Sequence, residues 1–287
     1  MKTLTKLTIP KNNIVLKIIL YYLKKNTSEN KFNFAIYSND FIGRNLIFKN
    51  FYEEENLKLF YKFLKSNNLK IGTCIDVGAN IGNHSVFFSN FVKKIYAFEP
   101  NSKAYDLLKI NIKKLNVKTF KVGLSNRNHY SLLTESKFNL GGSNVIKKIE
   151  KHHFFTERIK LVKLDNYKNF IKKKIDLIKL DTEGHELKVL IGADKIIDKN
   201  LPIIIFEQNE KDISKNCSRV MNHLAKKKYI FYEIDAEIFN SKFLFMKVLL
   251  IIKHLFIQSK ARLVEIKPNK LEKKDYRLII AINKKHY

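Results

Sequence analysis

The sequence predicts an α/β protein with a mostly parallel sheet and helices on both faces. From about residue 71, short β-rich runs alternate with helical patterns, which is typical of βαβ units. A glycine-containing turn after the first run is typical of a nucleotide-type loop. The later runs are continuously apolar, as in strands buried on both faces. The predicted strands are TCIDV (73–77), KKIYAF (93–98), VKTFKV (117–122), IDLIKLD (175–181), PIIIFEQ (202–208), YIFYEI (229–234) and YRLIIAIN (276–283).

Helical patterns fill most of the intervals between these strands. They begin at about residue 82 and then cover 101–115, 183–197 and a stretch near 212–227, whereas 127–158 is predicted to be irregular.

Residues 53–66 are predicted to form a helix, since acids in the first turn and lysines later suit the helix dipole. Short β-like runs are predicted over 32–50, and an amphipathic helix over Ile14–Leu23. Because no Gly/Ser/Pro linker interrupts the chain, we predict one α/β domain over 71–287, with an N-terminal helical and β-hairpin extension over 1–70. A lysine-rich amphipathic insertion is predicted at 239–272.

The net charge of the chain is large, but it carries little information about the function. The 287 residues include 55 basic and 27 acidic side chains, so the formal charge is 55 − 27 = +28. Six of the basic residues are arginine, the residue that phosphate and base recognition favours, so a nucleic-acid partner is not expected. Two cysteines, Cys74 and Cys217, fit a reducing compartment. Without a signal peptide or an apolar run of about 18 residues, we expect a cytoplasmic protein.

The most informative stretch runs from Asp76 to Gly82 and has the pattern D-x-G-x-N-x-G. Gly78 allows a tight turn and close approach of a ligand to the backbone. Asn80 stands where the dinucleotide fingerprint G-x-G-x-x-G has its second glycine, so that fingerprint is absent. Asp76 would repel a pyrophosphate, but it suits the cationic amino group of a methionine-like ligand.

Glu99 ends the next predicted strand, where an acidic residue accepts hydrogen bonds from both ribose hydroxyls of a nucleoside. Together with the loop, it resembles the S-adenosylmethionine site of a class I methyltransferase. The predicted cofactor-binding residues are Asp76, Gly78, Ala79, Asn80, Gly82, Asn83, Glu99 and Pro100.

A series of segments makes the resemblance specific. IDVGANIGNHSVFF, YAFEP, VKLDNY, IDLIKLDTEGHELKVLIGA and PIIIFEQ occur in this order, and FYEEENL precedes them. The series is similar to the FkbM family of methyltransferases over about residues 50–210. The resemblance implies a Rossmann-like class I methyltransferase with a seven-stranded sheet. It also implies S-adenosylmethionine as the donor and methyl transfer to a hydroxyl, often on sugars or polyketide-like natural products. Of these, we expect a saccharide or glycoconjugate acceptor.

Candidate catalytic residues follow two neighbouring strands, at the sheet edge where ligands of open α/β proteins bind. Asp181, Glu183 and His185 follow the fourth strand, and Glu207 ends the next one. Asp181, Glu183 or His185 could act as the general base for a hydroxyl, with His185 favoured by its ordinary pKa. Alternatively, Asp181 and Glu207 could hold Mg²⁺, so the metal requirement stays open at this point.

The insertion contains a strongly apolar segment, 243–257. It could cover the cleft, form a dimer contact or lie at a membrane interface with its lysines snorkelling. Two other functions stay open from sequence: an NAD-dependent oxidoreductase, and a non-catalytic membrane- or polyanion-binding protein. The oligomeric state is not predicted.

Overall fold

The structure is a computed structural model that describes residues 33–37, 40–48, 50–136, 139–146, 155–167, 173–235 and 262–286. The predicted helix at Ile14–Leu23 and the apolar segment 243–257 lie outside the described residues.

A single large sheet organises the described part of the chain. In space its strands follow the order β13-β12-β14-β9-β8-β1-β2-β3. The fourteen strands are β1 (Thr73–Val77), β2 (Lys94–Phe98), β3 (Val117–Phe120), β4 (Gly123–Leu124), β5 (His129–Ser136), β6 (Asn139–Ile146), β7 (Phe155–Val162), β8 (Leu177–Leu180), β9 (Ile203–Gln208), β10 (Ile213–Ser214), β11 (Cys217–Ser218), β12 (Tyr229–Asp235), β13 (Arg262–Ile266) and β14 (Tyr276–Asn283).

The predicted mostly parallel sheet is confirmed, but it has eight strands instead of seven. Strands β3, β2, β1, β8 and β9 are mutually parallel, whereas β14 is antiparallel to β9. The additional strand is β13, which pairs with β12 and comes from the region that we predicted to be an insertion. The chain leaves β1 toward β2 and β3 and later returns to β8 on the other side of β1. The carboxyl ends of β1 and β8 therefore form a topological switch point, where such sheets bind ligands.

Seven α-helices of the described residues surround this sheet. They are α1 (Phe41–Phe48), α2 (Glu54–Ser66), α3 (Asn83–Phe88), α4 (Ser102–Asn111), α5 (Glu186–Gly192), α6 (Asp194–Asn200) and α7 (Arg219–Lys226). Successive strand residues point to opposite faces, so Ile75 and Cys74 enter two different apolar layers. Helices α5, α6 and α7 cover the layer of Ile75, and α2, α3 and α4 cover the layer of Cys74. Helices on both faces are thus confirmed.

A second sheet forms where the sequence suggested irregular structure. Strands β4, β7, β5 and β6 lie side by side in that order, so the irregular prediction for 127–158 is wrong over 129–136, 139–146 and 155–158. Strands β5 and β7 pair antiparallel from His129–Leu161 to Glu135–Phe155. Leu133, Ile159 and Leu161 form a small apolar cluster on one face of this sheet. This face turns toward the switch point of the large sheet.

Three predictions of local structure change. In the segment predicted to hold β-like runs and a β-hairpin, the described residues 33–37 form no strand and Phe41–Phe48 form α1. The single helix predicted over 183–197 is two helices that meet at Ala193, whose φ of −114° departs from helical geometry. The helix predicted near 212–227 begins later, at Arg219, after the short β10–β11 ribbon. The division at residue 70 stays a prediction.

The segment that precedes the sheet is fastened to it by hydrogen bonds. The Asn83 side chain accepts a hydrogen bond from the Tyr52 backbone N–H at 2.9 Å and donates one to the Tyr52 carbonyl at 3.1 Å. Because Asn83 begins α3, this reciprocal pair holds Tyr52 and Glu53 at the edge where β1 ends. In the part of the chain that the structure describes, no helix is long and apolar enough to cross a membrane.

Candidate active site

A cleft opens at the carboxyl ends of β1, β2, β8 and β9. It encloses about 960 Å³ of empty space with its open mouth included. Eight of the twelve residues predicted for the site line this cleft, although they come from four separate segments of the chain. They are Gly78, Asn80, Glu99, Pro100, Asp181, Glu183, His185 and Glu207. The small second sheet contributes an apolar wall through Leu133 and Leu161.

The loop after β1 requires glycine at its first turn. Gly78 has a φ of +72°, a conformation that L side chains rarely adopt. A Cβ atom there would lie 1.8 Å from the carbonyl oxygen of Asp181. The loop after β1 and the loop after β8 therefore touch backbone to backbone at this point, which brings the predicted donor and acceptor residues together.

Asn80 and Glu99 form the donor end of the cleft. The Glu99 carboxylate accepts hydrogen bonds from the backbone N–H groups of Asn80 and Asn101, each at 2.8 Å. Burial raises the pKa of Glu99 to about 7, although these two hydrogen bonds oppose the rise. The side-chain oxygen of Asn80 is buried and accepts no hydrogen bond from any described residue. Both groups therefore offer acceptor positions to a ligand.

Asp76 lies beneath the loop instead of facing the cleft. Its side chain is fully buried, and one carboxylate oxygen accepts a hydrogen bond from the Ser85 hydroxyl at 2.6 Å. The other oxygen lies 3.4 Å from the amine of Lys179, which stands opposite Asp76 in the register of β1 and β8. Asp76 is thus half of a buried ion pair under the cofactor loop.

The Lys179 amine contacts Asp76, the loop after β1 and the loop after β8. It donates hydrogen bonds to the Gly78 carbonyl at 3.0 Å and to the Asp181 carboxylate at 3.4 Å. Burial alone would lower the pKa of this amine, but Asp181 and Asp76 together raise it above its usual value. Sequence reasoning missed Lys179, although a lysine inside the apolar strand LIKL was a usable signal.

Four residues that were predicted to bind the cofactor do not reach the cleft. Asp76 is buried as described, and Ala79 donates its backbone N–H to the Phe98 carbonyl at 3.1 Å. Gly82 packs against Leu108, and Asn83 binds the Tyr52 backbone. None of the four lines the cleft, so we assign them to support of the loop instead of ligand contact.

The loop after β8 is held by Glu186, which is buried at the start of α5. Its carboxylate accepts hydrogen bonds from the Thr182 backbone and hydroxyl at 2.8 and 3.0 Å and from the Gly184 backbone at 3.2 Å. Between them, Glu183 has a φ of +52° and lines the cleft. Burial, followed by repulsion from Asp181, raises the pKa of Glu183 to about 7.

His185 has a different environment from the one that its ordinary pKa suggested. It is buried, and its Nε2 lies 2.9 Å from the Ser125 hydroxyl oxygen. Burial lowers the pKa of His185 to about 4, and nearby Lys188 and His129 add to the effect. The imidazole is therefore neutral and weakly basic, which removes the reason for favouring it as the general base.

The acceptor end of the cleft carries a group of mutually repelling carboxyls. Burial and repulsion from Asp181 and Glu53 raise the pKa of Glu207 to about 10. Burial and Asp181 likewise raise the pKa of Glu53 to about 7, and burial with Glu53 and Glu207 raises that of Tyr52. Tyr52 and Glu53 were missed as site residues, although they belong to the FYEEENL segment that carried part of the resemblance.

Within the described residues, no group of three or more His, Cys, Asp or Glu side chains has an arrangement that would hold a metal ion. The predicted alternative in which Asp181 and Glu207 hold Mg²⁺ therefore gains no support from the geometry. Both cysteines of the sequence are free thiols.

The sheet and the cleft at its switch point define a Rossmann-like α/β protein of the class I methyltransferase type. The sequence profile of the methyltransferase FkbM domain matches residues 76–242, which is more than half of the chain. The chain belongs to the FkbM methyltransferase family and is a methyltransferase. This assignment replaces the alternatives of an NAD-dependent oxidoreductase and a non-catalytic binding protein.

Similar solved structures include methyltransferases with several different names. FkbM methyltransferase from Methylobacillus flagellatus KT is 13% identical, with a TM-score of 0.38; the match covers 74% of this chain and 43% of that one. Precorrin-6y C5,15-methyltransferase from Geobacter metallireducens GS-15 is 12% identical, with a TM-score of 0.40 and coverage of 90% and 96%. An rRNA methylase from Streptococcus thermophilus is 10% identical, with a TM-score of 0.36 and coverage of 75% and 89%. The chain thus spans less than half the length of the FkbM structure, and no curated protein matches its sequence.

Proposed function

We propose that the protein is an S-adenosylmethionine-dependent O-methyltransferase that acts on a hydroxyl of a saccharide or glycoconjugate. The observation that carries the proposal is the position of Glu99 and Asn80 at one end of a cleft, where Gly78 lets the loop after β1 contact the backbone of the loop after β8. Carboxylates at the ends of β8 and β9 face the same cleft. A cationic donor and a polar acceptor would meet between these two groups.

The donor end fits S-adenosylmethionine by the chemistry of its atoms. Glu99 has acceptor capacity beyond its two backbone hydrogen bonds, which suits the two hydroxyls of a ribose. The unpartnered oxygen of Asn80 offers a further acceptor at the loop. When bound, S-adenosylmethionine supplies a methyl group on a positively charged sulfur, so the protein's main task is alignment of the acceptor.

At the acceptor end, we propose Glu183 as the general base. A base works best when its pKa lies near the operating pH, and that of Glu183 is about 7. Glu207, whose pKa is raised further, would hold its proton at neutral pH and donate a hydrogen bond to the acceptor. Asp181 is ion-paired with Lys179 and would orient the hydroxyl as a hydrogen-bond acceptor. Several carboxyls in one cleft suit the many hydroxyls of a saccharide.

The first test is donor binding to the purified protein, measured by isothermal titration calorimetry. S-adenosylmethionine should bind, and Glu99→Ala should weaken it about a hundredfold or more through the loss of two charge-assisted hydrogen bonds. Asp76→Ala should also weaken it severely, but through disorder of the loop, which a lower melting temperature would reveal. NAD is the negative control. Donor affinity unchanged in both variants would overturn the assignment of the cofactor end.

The second test is transfer of a labelled methyl group to a polysaccharide fraction. Glu183→Gln and Glu207→Gln should lose most of the turnover and keep donor affinity. Addition of EDTA tests the alternative in which Asp181 and Glu207 hold Mg²⁺: a loss of turnover that added Mg²⁺ restores would support that alternative, and an unchanged rate would remove it. Label appearing on protein or RNA instead of glycan would contradict the acceptor class.

A further inference from the structure

A second cavity lies beside the cleft, on the small sheet, and it has the opposite charge. We call it the cationic groove; its charged and aromatic lining residues are Arg127, His129, Tyr130, Arg158, His185 and Lys188. None of its lining residues in the described part of the chain is acidic. The neighbouring cleft is lined by four acidic residues and no lysine or arginine within the same described ranges. The two cavities thus separate charge sharply over a short distance.

The basic side chains of the groove differ in type from most basic residues of the chain. Two of the six arginines of the chain lie here, although lysine supplies most of its basic residues. Among described residues, no carboxylate lies within ion-pair distance of Arg127, Arg158 or Lys188. The Arg158 guanidinium lies 4.4 Å from the centre of the Tyr130 ring, a cation–π contact that orients it. The His129 ring donates a hydrogen bond to the Arg127 carbonyl at 3.1 Å.

The groove continues from the cleft, because His185 and Val145 line both cavities. Away from these two shared residues, the small sheet lies between the two cavities: Leu133 and Leu161 face the cleft, whereas Tyr130 and Arg158 line the groove. A ligand longer than one sugar could therefore lie in both, with one end near Glu183 and the other near the arginines.

We infer that the cationic groove binds an anionic group, a phosphate or a carboxylate, of the saccharide acceptor while a hydroxyl of the same molecule lies in the cleft. The inference rests on the proposed function and narrows it to acidic or phosphorylated saccharides. Planar guanidinium groups bind phosphate and carboxylate oxygens through paired hydrogen bonds, and Lys188 adds a further positive charge. The acids of the cleft would repel the anionic group and so fix the direction in which the acceptor lies.

The test measures the binding of three probes to the full chain: glucose 1-phosphate, glucuronic acid and glucose. Ligand-observed NMR detects the binding of each probe. We expect at least one anionic probe to bind and glucose to bind at least about tenfold more weakly. Arg127→Gln/Arg158→Gln should weaken the anionic probe about tenfold or more, because charge-assisted hydrogen bonds are lost. The preferred anionic probe distinguishes a phosphate from a uronic carboxylate. A short single-stranded RNA is the competing probe.

The control is Lys62→Gln/Lys65→Gln on α2, which removes the same charge from exposed positions. Lys65 lies 4.9 Å from the Tyr61 ring centre, so this pair also matches the cation–π contact. It should change the affinity less than about twofold. Equal weakening by both pairs, unchanged affinity in the arginine pair, or binding of RNA without any saccharide probe would overturn the inference.

Donor titration on the same samples separates this inference from the proposed function. S-adenosylmethionine affinity should be the same in the wild type and in the arginine pair. If the donor binds and the saccharide probes ignore the arginines, the groove assignment fails and the donor assignment stands. If the donor does not bind but the anionic probe depends on the arginines, the groove stands as an anion site and the proposed function fails.

Discussion

The two ends of the cleft differ in how far the protein itself satisfies their glutamate side chains. At the donor end, both oxygens of Glu99 accept backbone hydrogen bonds, and the buried Asp76–Lys179 pair supports the loop. At the acceptor end, Glu53, Glu183 and Glu207 have raised pKa values, and their side chains make no hydrogen bond within the described residues. The Glu99 carboxylate is therefore held in place by the protein, whereas the glutamates of the acceptor end depend on a ligand to satisfy them.

The largest expected effect concerns the support beneath the donor end. Lys179→Met should lower the free energy of unfolding by about 3–5 kcal/mol, because it leaves Asp76 as an uncompensated buried charge. Urea denaturation measures this loss. The double variant Lys179→Met/Asp76→Asn should be more stable than Lys179→Met alone, since the buried charge is then removed.

The matched control for that pair is at the surface. Lys174 lies 3.8 Å from Asp176 with 64% of its side chain exposed, so Lys174→Met should cost less than about 1 kcal/mol. A small loss in Lys179→Met, similar to that of Lys174→Met, would mean that the donor end is not supported by this ion pair.

The next effect tests whether the donor end tolerates any displacement. Gly78→Ala should weaken S-adenosylmethionine binding at least about a hundredfold, because its Cβ would collide with the Asp181 carbonyl and shift the loop. Calorimetry measures the affinity. Gly184→Ala is the control: it has a similar strained φ of +93°, but its Cβ would lie 3.6 Å from the nearest atom. Equal donor affinity in the two variants would show that backbone strain, and not the collision, governs the loop.

A smaller effect concerns pH at the donor end. Because the pKa of Glu99 is about 7, its ionised fraction rises about tenfold between pH 6 and pH 8. Donor affinity should rise by a similar factor over this range, since the ionised carboxylate accepts stronger hydrogen bonds. Glu99→Gln should bind weakly with little pH dependence. A flat wild-type profile would contradict the elevated pKa.

The same group links pH to stability. Its folded pKa lies above its unfolded value, so its stabilising contribution is full below about pH 4.5 and is lost as pH rises through about 7. Glu99→Gln should therefore gain stability relative to the wild type as pH rises from 5 to 8, which thermal melts in matched buffers would measure.

The smallest effect sharpens the description of the acceptor end. Asp181→Asn removes one of the charges that raise the pKa of Glu183, so that pKa should fall from about 7. It should stay above its usual value, because burial is the larger cause. Carbon-13 NMR titration of the glutamate carboxyls measures this. A return to the ordinary value would mean that repulsion, and not burial, dominates there.

The sequence was most informative where a site residue and its partner lie in one local pattern. The turn at Gly78 and the acid at Glu99 follow from the βαβ repeat and its loop, and the structure brings them to one edge of the sheet. The last strand, Tyr276–Asn283, has the predicted bounds because its apolar run is buried nearly throughout. These features depend on interactions close in sequence or on simple burial.

The features that could not be predicted from the sequence depend on contacts between segments that are distant along the chain. The backbone groups of β5 and β7 form hydrogen bonds with each other although the paired residues are twenty or more positions apart, and turn residues do not mark that pairing. Burial decides the weak basicity of His185, and burial follows from packing against Ser125, sixty positions away. Glu53 joins Asp181 and Glu207 only because the segment before the sheet folds over their strands.

The reciprocal bonds between Tyr52 and Asn83 have a practical consequence for where this protein can be cut. The family profile begins at Asp76, and an expression clone that starts near the first strand would follow it. Such a clone would keep the entire donor loop but would lack Tyr52 and Glu53, and Asn83 would lose both partners. A truncation at that boundary would also remove α2, whose Leu57 and Phe60 are buried in the layer of Cys74, so it should lower the free energy of unfolding as well as remove one wall of the acceptor end.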